Sequence, residues 1–518
     1  MATVGKNILD NLTTGMYSDS KVIFREYIQN ACDQIDIALR SGLLEKNDAL
    51  IDIYTDSKKR YISIRDNATG VKNELFAENL GDIANSNKEL GKDKGFRGIG
   101  RLCGLAYCKT LRFSTSFYGE DVKSIMTCDA KRMREMLVEN KKYTLDEIWS
   151  KIVSFSSEPE EEGSHYFEVE LIEINAENTD LLDDKKVKEY LSFVAPVPYK
   201  NTFILRGQIY EHASKIGYKI DEYRVKHNGS QIFKDYTTRL KEQNGANLKN
   251  YDEISRLEFH DFRDKDDSLI AWMWVGLSRF EKQIPKVNQM RGLRLRSGNI
   301  QLGNDDVLQE LFKEPRGNYY FVGEVFAVDK RLIPNSQRNY FNENETRIVF
   351  ENLLRNYFFD VLHKLYYDAN KIKNAYKRQE DYLTIVNEFS KKTDENGFVN
   401  EDERQKLQFD MEKAKKDAED ARRQLKKYDD ASTDSPIAEV HKSISKKFDS
   451  ERLKSKAEST DIPDPVQESK KDTFVTSKMS KLSRGERKLV SKILTIITEV
   501  APKEISERII ERIKEELK

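Results

Sequence analysis

The sequence predicts an α+β chain that ends in a helical tail, and three observations carry that expectation. Segments with strand character come in hairpins rather than alternating singly with helices, which favours an antiparallel or mixed sheet over a doubly wound parallel one. Charged residues make up 34% of the 518 positions and hydrophobic residues 38%. Globular chains usually run near 25% charged and about 45–50% apolar. Part of the chain should therefore carry little core of its own. Near residue 371 the composition shifts: Gly and Pro become sparse, and Lys, Glu, Asp and Ala dominate.

The elements follow in order. Lys21–Arg40 reads as an amphipathic helix. Asp48–Thr55 and Arg60–Asp66 read as strands joined by a polar turn, and Lys109–Phe117 and Asp121–Cys128 as a second hairpin with Gly119 in its turn. Arg101–Tyr107 is a short helix, and His165–Ile174 a further strand after the acidic loop Glu158–Glu162. A second folded block spans 186–371, with strands Leu269–Leu277, Leu293–Ile300 and Tyr319–Phe326 and a closing helix Thr346–Tyr367. Trp272 and Trp274 support a separate core there.

Residues 372–458 form a charged helical region. In it Leu407, Met411, Ala414, Ala418, Ala421, Leu425 and Tyr428 recur in steps of four and three, the seam of a coiled coil or helical hairpin or, since three alanines make it thin, of one amphipathic helix lying on the main body. Asp429–Ser435 and Ser459–Ser469 are flexible breaks, the second within a linker over 459–483. Two helices hinged at Pro502 close the chain over 484–518. Leu489, Ile493, Ile496 and Val500 stripe one, and Ile505, Ile509, Ile513 and Leu517 the other. So short a hairpin cannot bury both stripes, so a partner or the body should cover them.

Charge and cysteine content exclude several classes. With 88 Lys+Arg against 89 Asp+Glu, the formal net charge is -1, which gives no whole-molecule drive toward nucleic acid. No run approaches the roughly 18 apolar residues a membrane span needs, and the first ten residues lack a signal-peptide core. Cys32, Cys103, Cys108 and Cys128 show no metal spacing and read as reduced thiols of a cytoplasmic protein, although Cys103 and Cys108 could approach each other.

The chemistry is concentrated in residues 1–185. Glu26, Asn30 and Asp33 project from one face of the Lys21–Arg40 helix, at spacings of four and three. A carboxylate one turn from an amide suits polyphosphate chemistry, because the amide oxygen is a hard Mg²⁺ ligand and the carboxylate can deprotonate water. Asp66-Asn-Ala-Thr-Gly70 follows a strand, where an aspartate can accept a hydrogen bond from an exocyclic amine. Gly95-Phe-Arg97-Gly98-Ile99-Gly100 runs into a helix, so backbone N–H groups and a helix N-terminus can crowd a phosphate. Its spacing fits neither the Rossmann fingerprint nor the P-loop.

The order of these segments resembles the GHKL ATPase superfamily, which includes Hsp90, MutL, type II topoisomerase ATPase subunits, MORC proteins and histidine kinases. Glu26 and Asn30 match its E-x-x-x-N box. Asp66 and Gly70 match the D-x-G-x-G box, with Ala68 in place of the middle glycine. The segment Asn79–Lys88 is similar to the Hsp90 lid, Gly95–Gly100 to the second glycine box, and Gly163-Ser164 to the pair before the last strand. The wording of the lid is most like Hsp90, with MORC next.

The resemblance implies a Bergerat-type ATP-binding α/β sandwich over 1–185 and an S5-like transducer domain over 186–371, similar to the Hsp90 middle domain. It implies ATP and Mg²⁺ as ligands. Glu26 would be the general base, Asn30 the Mg²⁺ ligand, and Asp66 the partner of the adenine amine with Ser164 nearby. Gly70, Lys88, Gly95, Arg97, Gly98, Ile99 and Gly100 would surround the nucleotide, and Asp33 would lie near it or support the fold. Ile333-Pro-Asn-Ser-Gln337-Arg338-Asn is similar to the transducer's catalytic loop, which points to Arg338 with Gln337 beside it. Lys286, Arg291 and Arg294 are rivals for that role, within a basic stretch Lys286–Arg296 that could also edge a nucleic acid or a partner. The expectation is an ATP-gated switch or clamp that dimerises through its N-terminal or C-terminal helical regions and holds a client or effector through 372–518. The alternatives are a DNA-associated MORC- or MutL-like clamp and the regulatory ATPase of a multi-protein system such as a prokaryotic defence system.

Overall fold

The computed structural model describes residues 5–6, 9, 11, 13, 19–82, 100–395, 397–429, 435–458, 482–501 and 503–517. The chain divides into two compact units, one of Met1–Leu277 with Lys282–His363 and one of Ser278–Glu281 with Lys364–Lys518.

In the first unit, α1 (Val22–Arg40) is buried on nearly every side, with Ile23, Phe24, Tyr27 and Ile28 in the core. It packs on a sheet built from β1 (Ile51–Asp56), β2 (Tyr61–Asp66), β3 (Cys108–Ser116), β4 (Val122–Asp129), β5 (Val153–Pro159) and β6 (Tyr166–Ile174). Helices α2 (Asn73–Gly81), α3 (Ala130–Val138) and α4 (Leu145–Ile152) lie between these strands in sequence. Thr144 caps α4 with a reciprocal capping box to Glu147.

After α5 (Asp184–Val194) and α6 (Arg206–Lys215), β7 (Val225–His227) and β8 (Ser230–Gln231) join the same sheet. The order is β5-β4-β3-β6-β2-β1-β7-β8. Only the β1–β7 pair is parallel. The mixed, mainly antiparallel sheet expected from the hairpins is present, but residues 225–231 complete it. Asn228 and Gly229, both at positive φ, make the turn between β7 and β8.

The hairpin β9 (Arg239–Asn244) and β10 (Asn247–Glu253) stands apart. A second sheet follows from β11 (Arg256–Arg263), β12 (Leu269–Leu277), β13 (Gly292–Ser297), β14 (Ile300–Leu302) and β15 (Val322–Ala327), in the order β11-β12-β15-β13-β14. Strand β12 is buried on both faces, as its unbroken apolar run requires, and Trp272 stacks on Phe326 at 4.4 Å.

Three sequence readings change here. Leu293–Ile300 is not one strand: Gly298 and Asn299, both at positive φ, turn it into the β13–β14 hairpin. Tyr319–Phe326 begins as a 3₁₀ turn over Pro315–Tyr320, before β15. The helix expected over Arg101–Tyr107 is a 3₁₀ helix, Gly100–Ala106. The closing helix runs as α7 (Glu345–Tyr357), a π turn at Phe358–Leu362, and α8 (His363–Asp394), so helix continues through the composition shift near 371.

The second unit is helical, with α9 (Glu401–Asp429), α10 (Pro436–Glu458), α11 (Arg484–Val500) and α12 (Lys503–Glu516). In α9 the four-three stripe is the sheltered face: Ala418, Ala421 and Leu425 are buried, and Leu407, Met411, Ala414 and Tyr428 half-buried. The α11–α12 hairpin is seamed differently from the expectation. Leu494 and Ile510 form its centre, with Val490, Ile497, Ile513 and Leu517 around them. The predicted stripe Leu489, Ile493, Ile496 and Val500 is exposed, as are Ile505 and Ile509. Residues 430–434, most of the 459–483 linker and Pro502 lie outside the described residues.

Candidate functional site

Helix α1 carries the first part of the site. Glu26 and Asp33 are buried, and Asn30 between them is half-buried. Gly100, at the start of the 3₁₀ helix, packs on Glu26 so closely that an added Cβ would lie 2.5 Å from Glu26 Oε2. One turn on, the Tyr27 hydroxyl donates to Arg101 O at 2.9 Å and accepts from Gly104 N at 3.1 Å, which fixes this segment to α1. Burial pushes the Tyr27 hydroxyl and the Cys103 thiol well up, so both stay protonated.

The second part lies past the end of β2. Asp66 is buried, and its Oδ1 accepts from Ala68 N at 3.0 Å, an Asx turn that bends the chain away from the strand. Ala68 is fully buried, and Gly70 sits at φ +67° with the position of its missing Cβ only 1.9 Å from Ser116 O, so no other residue fits there. Thr69 Oγ1 donates to Gln34 Oε1 on α1 at 3.0 Å, and Val71 N donates to Thr115 Oγ1 at 3.0 Å. His165 Nδ1 lies 2.8 Å from Ala68 O. Ser164 is half-buried, two residues before β6, and β6 places Phe167 opposite Asp66.

The third part comes from 312 residues downstream. Arg338 Nε lies 3.1 Å from Glu26 Oε1 and 3.2 Å from Oε2. The Arg25 guanidinium donates to Gln337 O at 2.9 Å and to Arg338 O at 3.3 Å, clamping the loop onto α1. Arg338 itself takes φ +52°, an unfavourable conformation for a side chain of its size, and Gly303 N donates to its carbonyl at 3.0 Å. The Gln337 side chain is exposed and accepts from Asn339 Nδ2, so its contact with α1 is through the backbone.

The rival cations are placed elsewhere. Arg294 is buried against Gln301 and the ring of Phe193, and Arg291 is paired with Asp305. Arg296 is fully buried on Glu324. Within the stretch Lys286–Arg296, Arg294 and Arg296 are thus buried, Arg291 is half-buried and Lys286 is exposed. Lys88, Gly95, Arg97, Gly98 and Ile99 lie outside the described residues.

Residues 17–158 match the model of the histidine kinase-, DNA gyrase B- and HSP90-like ATPases. Among curated relatives, chaperone protein HtpG of Bacillus licheniformis is 30% identical over 132 residues, 22% of this chain and 21% of the relative. HtpG of Buchnera aphidicola is 31% identical over 157 residues, 26% and 25% of the two chains. The mitochondrial heat shock protein 75 kDa of Bos taurus is 35% identical over 92 residues, 17% and 13%. The matches reach about a quarter of the relatives' length at most. The N-terminal part of this chain is a GHKL ATPase domain.

In that domain, sequence reasoning found the carboxylate and amide on α1 and the turn after β2, but missed the groups that hold them. Arg25 was overlooked because an arginine beside a glutamate on a helix reads as a solvated pair. Gln34, Thr115 and His165 act through contacts that no local pattern announces. For Mg²⁺, Asn30 is half-buried one turn from Glu26, and an ion that binds mostly to phosphates and water needs few protein oxygens. An amide oxygen such as that of Asn30 is a donor of the kind that ion takes. Among the described residues no helix is long and apolar enough to cross a membrane.

Proposed function

We propose that this protein is a Mg²⁺-dependent ATPase whose GHKL domain works as a nucleotide-gated switch of Hsp90-like type. The observation that carries the reading is the contact of Arg338 with Glu26 at 3.1 Å, which joins a base on α1 to a cation on a distant loop. Asp66 would take the adenine amine and Gly70 would let the chain pass close to the ring, with Ser164 nearby and Asp33 supporting the wall. Lys88 and Gly95–Gly100, with Arg97 and Ile99, would close around the phosphates. Mg²⁺, held through Asn30, would supply charge neutralisation on the phosphate oxygens.

Glu26 would orient a water and accept its proton. The guanidinium of Arg338 rests on Glu26. With nucleotide the phosphoryl oxygens offer it a more concentrated negative charge, and its transfer to them would free the carboxylate to act as a base. Hydrolysis would return the arginine to Glu26 and reset the loop. Gln337 would serve through its carbonyl, as the anchor for Arg25.

A cytoplasmic homodimer fits the exposed stripe of Leu489, Ile493, Ile496 and Val500, a surface that a second copy could cover. A client or effector bound through 372–518 remains part of the proposal. The DNA-clamp alternative loses its main support, since Arg294 and Arg296 are buried.

The test is a pair of substitutions followed by ATP binding and turnover. Glu26→Ala should keep nucleotide affinity and lose turnover by about 10³-fold, whereas Asp66→Asn should lose binding. Equal turnover in wild type and Glu26→Ala would sink the mechanism.

A further inference from the structure

A groove of about 490 Å³, lined by none of the residues named above for the nucleotide site, lies between α5, the chain around residues 231–241 and the turn at 287–290. Its floor is apolar: Phe193 and Met290 are buried, Phe233 is half-buried, and Val287 is 38% exposed. Its rim carries five cations and two carboxylates. Lys200 is paired with Asp235 at 2.8 Å, and Lys185 lies 4.0 Å from Glu189. That leaves Lys188, Arg239 and Lys241, which are all exposed and make no ion pair among the described residues.

The walls are anchored from behind. Phe233 and Asp235 flank Lys234, which is fully buried and donates to Asn299 Oδ1 at 2.6 Å and to Glu324 Oε2 at 3.0 Å. The carbonyl of Phe193 accepts from Arg296, which also binds Glu324. A groove fixed in this way spends little ordering entropy when something binds.

We propose that this groove docks an acidic protein segment bearing one bulky apolar anchor. Its carboxylates would pair with Lys188, Arg239 and Lys241, and its anchor would cover Val287 and Phe233. The rim's excess of positive charge selects the sign of the partner, and the open apolar floor between the cations selects a side chain over a phosphodiester strand.

The test is fluorescence anisotropy of the full chain with a labelled octapeptide of glutamates around a central phenylalanine, beside a labelled single-stranded oligonucleotide. The wild type should bind the peptide, with affinity falling as salt rises. The combined variant Lys188→Glu, Arg239→Glu, Lys241→Glu should weaken it at least about tenfold, and Val287→Asp should weaken it several-fold with ATP turnover unchanged. Since all four side chains are exposed, the thermal midpoints should stay put. Should the triple variant fail to fold, Lys188→Glu alone reads the same loss. No peptide binding by the wild type, or unchanged affinity in the variants, overturns the proposal. Oligonucleotide binding that is tighter than the peptide's and lost in the same variants also overturns it.

Discussion

Two arginine–glutamate contacts in the first unit use the same chemistry to opposite ends. Glu324 is fully buried with every acceptor engaged. Arg296 and Tyr236 reach Oε1, Lys234 and Tyr199 reach Oε2, and Trp274 Nε1 approaches at 3.4 Å. Glu26 is also buried, but among the described residues only two arginines hold it: Arg338 Nε lies 3.1 Å from Oε1 and 3.2 Å from Oε2, Arg25 Nε lies 3.6 Å from Oε1, and Arg338 sits at a positive φ. A saturated network rigidifies, while a carboxylate paired with a cation whose backbone sits in an unfavourable conformation gives up that partner at less cost. The first pair holds the β12–β15–β13 sheet to the segment around Lys234. The second pair is poised to exchange partners.

The difference can be broken from either side. Substituting Glu324→Gln strands Lys234 and Arg296 in the core, so unfolding in urea should show a loss of about 3–5 kcal/mol. A loss below about 1 kcal/mol would mean the network is not a structural clamp.

Acid should weaken the same network. Desolvation raises the Glu324 carboxyl, but Arg296 and Lys234 outweigh it and hold the folded-state value down to about 2, below the ordinary 4.5. Its stabilising contribution is therefore complete above about pH 4.5 and is lost as pH falls toward about 2. Acid titration of the unfolding free energy should show that slope in the wild type and a shallower one in Glu324→Gln.

A smaller effect tests the second pair. Gly100→Ala puts a methyl against Glu26 Oε2 and should lower turnover by about tenfold while leaving stability within about 1 kcal/mol of wild type. Unchanged turnover would show that the Glu26 carboxylate is free to shift without consequence.

These two regions also mark what the sequence could and could not reveal. Glu26 and Asn30 were legible because four-residue spacing on an amphipathic helix fixes their common face, and Asp66 because a strand pattern ends there. Arg338 was legible only through resemblance, since its partner lies 312 residues away. The stretch Lys286–Arg296 read as rival catalytic cations or a basic edge, because clustered arginines and lysines are mostly exposed. What buries Arg296 is a glutamate 28 residues on, together with Lys234 and two tyrosines from elsewhere in the chain. The β1–β7 pairing escaped for a similar reason: a parallel partner 174 residues away in register, Ile51 opposite Val225, leaves no local trace. Two misses had local signals. Gly298-Asn299 and Asn228-Gly229 are dipeptides suited to two-residue hairpin turns, and both sites take that form. On α11 two apolar stripes lie one residue apart, and pattern alone could not tell which of them faces α12.

The central claim is that Glu26 and Arg338 act as one unit in ATP hydrolysis. A double-mutant cycle on single-turnover ATP hydrolysis, with Glu26→Gln, Arg338→Ala and the combination, tests it most directly. Each single substitution should cost about 10²–10³-fold, and the double variant little more than the worse single one, because groups that work together fail together. Losses that multiply, or an Arg338→Ala protein that turns over like wild type, would contradict it.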